Sequence, residues 1–270
     1  MKDKVVLITG GSSGIGKACA LAFGQKGSAV VITGRNQERL DKAETELKSK
    51  NVQVLALKAD VVSETDNQMV VEKTIEAFGR LDVLINNAGI SMRSLFSEVK
   101  MDVFRKLMDV NFFGAASITQ CALPYIIESK GSIVAMSSIA GKKGLPLRTG
   151  YTASKFALEG FMEALRLEMR QHKVHVLVAC PSFTESNIRN TALSASGETI
   201  AESPFNESEL MSADEVAGEI YKATVAKKRD LVLTTLGRLV VAFNKFVPKY
   251  VDYRVHKQIA QEKGSPLELN

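Results

Sequence analysis

Short apolar runs alternate with longer stretches of helical period along most of the chain. Residues 5–9, 29–33, 52–57, 83–86, 132–136, 174–179 and 231–234 are brief and rich in Val, Ile and Leu. Near-continuous apolarity over so few residues predicts strands buried on both faces. Between them, residues 14–26, 37–49, 64–78, 101–127, 151–171 and 213–226 place apolar side chains three and four apart, the period of amphipathic helices. Pro124 is expected to bend or end the regular part of the fourth.

Strand–helix alternation of this kind predicts an α/β fold: a single Rossmann-type doubly wound parallel sheet of about seven strands, with helices on both faces. Right-handed crossovers then bring ligands to the carboxyl ends of the strands. No internal repeat or linker divides the pattern. Residues 1–236 read as a dinucleotide-binding catalytic domain, and 237–270 as a basic and apolar helical extension of that domain.

Composition adds little to this. The chain has 270 residues, 45% hydrophobic and 24% charged, enough for a sizeable core. Cys19, Cys121 and Cys180 sit singly at apolar positions and predict reduced, buried thiols. His172, His175 and His256 form no ligand spacing, so no metal site is expected. The N-terminus leads directly into the first apolar run, and the apolar runs look too short to span a bilayer, so a soluble cytoplasmic protein is expected. The net charge of +5 is uneven. Residues 227–257 hold eight basic residues against two acids, and the rest of the chain is near neutrality. The body therefore lacks the broad basic footprint of a nucleic-acid binder.

Between the first predicted strand and helix lies Thr9-Gly10-Gly11-Ser12-Ser13-Gly14-Ile15-Gly16. Gly10, Gly14 and Gly16 permit a tight turn and close approach to phosphate, and the helix start offers free amides. The second strand ends in Thr33-Gly34-Arg35-Asn36, without the acid that would hold ribose hydroxyls. Arg35 can instead pair with a 2′-phosphate, which favours NADP(H) over NAD(H).

Tyr151 and Lys155 are four residues apart, on one face of a predicted helix, with Ser138 thirteen residues upstream. An ammonium beside a phenol favours phenolate, and the pair is expected to draw the tyrosine down toward neutrality. Tyr253 and Lys257 repeat the spacing, but Val240 stands where the serine would be, so this second pair reads as a solvated helix face.

Assembled, these features resemble the short-chain dehydrogenase/reductase family from about Lys4 to Thr234. Residues 9–16 match its T-G-x-x-x-G-x-G turn, and Asn86-Asn87-Ala88-Gly89 its N-N-A-G stretch. Asn111, Ser138, Tyr151 and Lys155 match its catalytic tetrad. The resemblance implies that Tyr151 exchanges a proton with the reacting oxygen, Ser138 orients the carbonyl, Lys155 lowers the phenol and bonds the nicotinamide ribose, and Asn111 holds a water in a proton path. It implies cofactor contacts from Gly10, Ser12, Ser13, Gly14, Ile15, Gly16, Arg35, Asp60, Val61, Asn87, Ala88, Gly89, Tyr151, Lys155, Pro181 and Thr184. Asp60 would contact the adenine. Two departures stand out: Ser13 occupies a position where a second basic residue often accompanies NADP preference, and residues 180–186 read C-P-S-F-T-E-S where the family has P-G-x-V-x-T.

Substrate contacts are expected from Ser138, Tyr151 and Phe183, with Ser91, Met92 and residues 141–147 around them. Residues 187–211 read either as a lid or as a solvated connection. The reaction implied is NADP(H)-dependent interconversion of a carbonyl and a secondary alcohol, the substrate a small apolar molecule such as a 3-oxoacyl compound, a steroid-like compound or another ketone. The alternatives are a catalytically silent nucleotide-binding regulator and a membrane-surface interaction protein. The long helices at 101 and 151 would suit a homodimer or homotetramer. Residues 237–257 would cover the substrate pocket, pack in that oligomer or make a peripheral membrane contact.

Overall fold

The computed structural model describes residues 1–181, 188–189, 191–200 and 210–268. In chain order the elements are β1 (Val5–Ile8), α1 (Gly14–Gly24), β2 (Ala29–Gly34), α2 (Gln37–Ser49), β3 (Val54–Lys58), α3 (Glu64–Phe78), β4 (Val83–Asn86), α4 (Met101–Met108), α5 (Gly114–Ser129), β5 (Ser132–Met136), α6 (Thr149–Glu168), β6 (His175–Cys180), β7 (Ala192–Leu193), β8 (Thr199–Ile200), α7 (Ala213–Val225), β9 (Asp230–Val232), α8 (Thr235–Phe246) and α9 (Pro248–Ala260). Seven strands form one parallel sheet in the order β3-β2-β1-β4-β5-β6-β9; β7 and β8 make a separate antiparallel pair. The order reverses direction between β1 and β4, which opens a crevice at their carboxyl ends.

Successive strand side chains point to opposite faces, so each strand feeds two cores. On one face Val6, Ile8, Val30 and Ile32 pack with Phe23 of α1, Leu40 of α2 and Ile220 of α7. On the other, Leu7, Val31, Leu84 and Ile133 pack with Val70 of α3, Ile118 and Ile126 of α5, and Met162 of α6. Burying each such side chain contributes about 1.5–3 kcal/mol. Cys19 lies wholly inside the first core, where burial pushes its thiol up to about 12 and leaves it unreactive.

Three sequence-based expectations are corrected. The fourth helix does not yield at Pro124: it continues regularly to Ser129, because Ala122 and Ile126 anchor it in the core and the carbonyl deprived of a donor belongs to exposed Gln120. Its irregularity is a π-helical turn over Asp109–Phe113, centred on Asn111. This helix also answers the bilayer expectation differently. Among the described residues, Met101–Ser129 is long and apolar enough to cross a membrane by length and composition, and here its apolar side is part of the core. Finally, α6 starts at Thr149, which places Tyr151 inside its first turn.

At the opposite end of the sheet from the crevice, the buried Asp82 carboxylate accepts from the Val5 amide at 3.0 Å, Lys4 Nζ at 2.9 Å and both Arg80 Nε and Nη2 at 2.8 and 2.7 Å. Burial raises its pKa, but the bonds from Arg80, the Val5 amide and Lys4 outweigh it, so the carboxyl sits below its ordinary value. A depressed carboxyl contributes stability above its unfolded pKa and loses it as pH falls below. Asp82→Asn is therefore expected to cost about 1–3 kcal/mol at pH 7. In melts followed by circular dichroism, the gap to wild type should close below about pH 4.

Candidate active site

A cavity of about 640 Å³ opens at the carboxyl ends of the strands. Its floor is the loop from β1 to α1. Gly10 and Gly14 adopt φ of +64° and +51°, the left-handed region that glycine enters without strain. A Cβ on Gly16 would lie 2.4 Å from the Gly10 carbonyl oxygen and 2.5 Å from Asn87 Nδ2, so the third glycine is fixed by close packing. Gly16 therefore supports the loop from behind, whereas Gly10, Ser12, Ser13, Gly14 and Ile15 line the cavity. Asn36, Ser63 and Ser212 cap α2, α3 and α7 with side-chain acceptors, but Ser13 makes no such bond to α1 and no acid occupies its first turn. The first amides of α1 are thus left for an anion in the cavity, which suits a diphosphate. Across the crevice, Asn87 Nδ2 donates to the carbonyls of Thr9 and Gly10, and the Thr9 hydroxyl accepts from the amides of Asn87 and Ala88. This lattice ties the end of β4 to the glycine turn. Asn87, Ala88 and Gly89 all face the cavity.

At one end of the cavity stand Arg35, Asn36, Arg39, Asp60 and Val61. Arg35 Nη1 lies 4.0 Å from Asp60 Oδ2, both side chains largely in solvent. Arg39 is a second basic side chain lining the cavity beside the loop after β2.

The residues expected to react also line this cavity. Ser138 ends the run from β5 and begins a short 3₁₀ turn, its hydroxyl accepting from the Ala140 amide at 3.2 Å. Tyr151 and Lys155 enter from α6, with Lys155 Nζ 5.8 Å from the phenol ring centre. All three line the cavity, as does Pro181 after β6. Lys155 is buried and donates to the Met136 carbonyl at 2.7 Å. Burial lowers its pKa to about 8, against the pull of Cys180 and Glu159. The expected depression of Tyr151 is not found in the chain alone. Burial of the phenol dominates and raises its pKa; the Ser138 hydroxyl and Arg148 pull the other way without overcoming it. Burial of the phenol outweighs the cations around it.

Asn111 does not reach the cavity. From the π-helical turn its amide donates to the Ile90 carbonyl and to Ser154 Oγ, both at 2.9 Å, and its Oδ1 accepts from the Ile90 amide at 2.8 Å. Ser154 in turn donates to the Tyr151 carbonyl. Asn111 thus couples the loop after β4 to the first turn of α6, with both amide hydrogens spent on protein. Met92 is also buried beneath the site rather than lining it, held by the bridge to Leu193. Phe183 and Thr184 lie outside the described residues. Tyr253 is exposed on α9, as the solvated reading of the second tyrosine–lysine pair requires.

The short chain dehydrogenase family profile matches residues 4–196. Dehydrogenase/reductase SDR family member 7B of Rattus norvegicus is 37% identical over 92% of this chain and 79% of its own. The Mus musculus protein of that name is 36% identical over 87% and 74%. The chain belongs to the short-chain dehydrogenase/reductase family. Among solved structures, a family member from Burkholderia phymatum in complex with NAD superposes with a TM-score of 0.81 at 22% identity, covering 92% of this chain and 95% of that one. An alcohol dehydrogenase from Thermococcus sibiricus complexed with 5-hydroxy-NADP gives 0.75 at 24%, covering 85% and 95%. These two likenesses bear on the fold.

This short-chain dehydrogenase/reductase carries site residues that sequence reasoning missed. Arg148 donates to both carboxylate oxygens of Glu262 at 3.1 and 2.9 Å, and Arg93 approaches the same carboxylate at 3.6 Å. Arg148 and Glu262 line the cavity more than a hundred residues apart in sequence, with nothing local to mark them. Leu236, Val240, Val255 and Ile259 of α8 and α9 complete an apolar wall opposite Ile90 and Leu145. Near Ser138, the Glu159 carboxylate accepts from Ser137 Oγ at 2.7 Å, from Cys180 Sγ at 3.3 Å and from Lys142 Nζ at 2.5 Å. This binds the Ser138 turn and β6 to α6. A glutamate four residues after the lysine is visible in the sequence, but a solvated helix face predicts the same pattern.

Proposed function

We propose that this oxidoreductase interconverts a ketone and a secondary alcohol with NADP(H), on a substrate that is mainly apolar. The observation that carries this reading is the shared cavity: a glycine turn with uncapped helix amides, a pair of arginines, and Ser138, Tyr151 and Lys155. The turn and the α1 amides fit the diphosphate of a dinucleotide, and Arg35 with Arg39 fits a 2′-phosphate. The bound dinucleotide supplies or takes the hydride. Tyr151 gives the proton to the reacting oxygen in reduction and takes it back in oxidation. Ser138 orients that oxygen. Lys155, protonated at neutral pH and fixed on the Met136 carbonyl, stabilises the phenolate left when the proton departs. Ile90, Leu145, Val240 and Ile259 favour an apolar body on the substrate. Exposed Phe113, Phe156 and Leu167 on the α5–α6 side support pairing with a second copy.

The cofactor assignment is tested by fluorescence titration. NADPH should bind at least about tenfold more tightly than NADH, since one charge-assisted phosphate contact is worth about 1.5–3 kcal/mol. Arg35→Ala should remove most of that preference and leave NADH affinity nearly unchanged. Equal affinity of the wild type for both nucleotides would overturn the assignment. Turnover of keto-steroids and 3-oxoacyl thioesters above small aldehydes would establish the substrate class.

A further inference from the structure

Seven of the fourteen large apolar side chains exposed on the described surface belong to α8, α9 and the residue between them. Leu239, Phe243 and Phe246 follow one another at intervals of four and three and form one stripe on α8, with Tyr250 exposed just beyond it on α9. Phe246 is 82% exposed. The opposite side of the same helices is already committed: Gly237 packs on Ile139, Val251 and Ile259 are buried, and Val240 and Val255 line the cavity. The stripe is therefore not a core face awaiting its partner within the chain.

Its borders are basic. Arg238, Lys245 and Lys249 run alongside it, and Arg254 and Lys257 continue the charge on α9. Asp252 is the sole acid in the two helices, and it pairs with Lys143. We propose that this stripe docks the protein on an anionic lipid surface, with Phe243 and Phe246 entering the headgroup boundary and the flanking lysines and arginines on the lipid phosphates. Charge decides against a second copy of the chain. A self-contact here would bring together two helix pairs that each carry five basic residues and one acid, whereas an anionic surface complements them. The apolar cavity wall built by α8 and α9 would then lie within about one helix diameter, roughly 10 Å, of the lipid.

Flotation of the full chain with vesicles tests this independently of catalysis. Wild type should float with phosphatidylcholine–phosphatidylserine vesicles at low salt, float poorly with phosphatidylcholine alone, and be released as salt rises. Phe243→Glu with Phe246→Glu, and separately Lys245→Glu with Lys249→Glu, should each weaken binding about tenfold or more, with unchanged circular dichroism and melting. The lysine pair keeps the test valid should the phenylalanine pair fold poorly. Three results would overturn the proposal: no flotation of wild type with the anionic vesicles, flotation undiminished in both folded variants, or a wild-type oligomer that the phenylalanine variant dissociates in light scattering.

Discussion

Tyr151→Phe is expected to lower turnover by about 10²- to 10⁴-fold, the usual contribution of a positioned proton donor. The ring of the variant still packs against Met92, Ala140 and Leu193, so the site keeps its shape. Only the oxygen facing Ser138 is removed. Dinucleotide affinity should therefore stay within about twofold while kcat and kcat/KM fall together, the pattern of an interaction made in the transition state. Turnover that survives with binding intact would take the proton step away from this residue.

Lys155→Met is expected to make the protein inactive and more stable. The lysine pKa falls from 10.5 to about 8 on burial. Below about 8 the folded chain therefore carries a buried ammonium at a cost of about 3 kcal/mol. The sign follows from the proton count. Between 8 and 10.5 the unfolded chain holds a proton that the folded chain has released, so wild-type stability rises with pH through that window. Methionine removes the charge and fills similar space, but leaves the Met136 carbonyl without its donor, a loss of about 1 kcal/mol. The net gain at pH 7 is about 2 kcal/mol, a rise in Tm of roughly 4–8 °C. Calorimetry across pH should show this advantage shrinking as pH climbs past 8. A less stable variant at pH 7 would mean that Lys155 is held by favourable electrostatics instead of against burial.

The parts of the site that were legible in the sequence are those whose cause is local. Gly10, Gly14 and Gly16 are marked because a backbone turn and a close approach each forbid a Cβ at a fixed spacing. Tyr151 and Lys155 share a helix face because four residues make about one turn. The parallel sheet followed from short doubly buried runs separated by helical period. What could not be read is set by distance and competition. Glu262 meets Arg148 across 114 residues, through the tertiary fold alone. Arg39 looks like any charge on a solvated helix until α2 brings it to the cavity that Arg35 also lines. The π-helical turn at Asn111 has no local breaker to announce it, whereas Pro124, which does announce one, is overridden by core packing. The direction of the Tyr151 shift failed for the same reason: spacing brings a cation near, but burial among Met92, Leu107, Ala140 and Leu193 decides which protonation state is cheaper.

The most direct test is a crystal structure of the protein with NADP⁺ bound. The diphosphate should rest on the amides of Gly14 and Ile15, the 2′-phosphate should meet Arg35 and Arg39, and the nicotinamide should reach the space bounded by Ser138, Tyr151 and Lys155. A dinucleotide seated elsewhere, or one whose nicotinamide points away from those three side chains, would contradict the account.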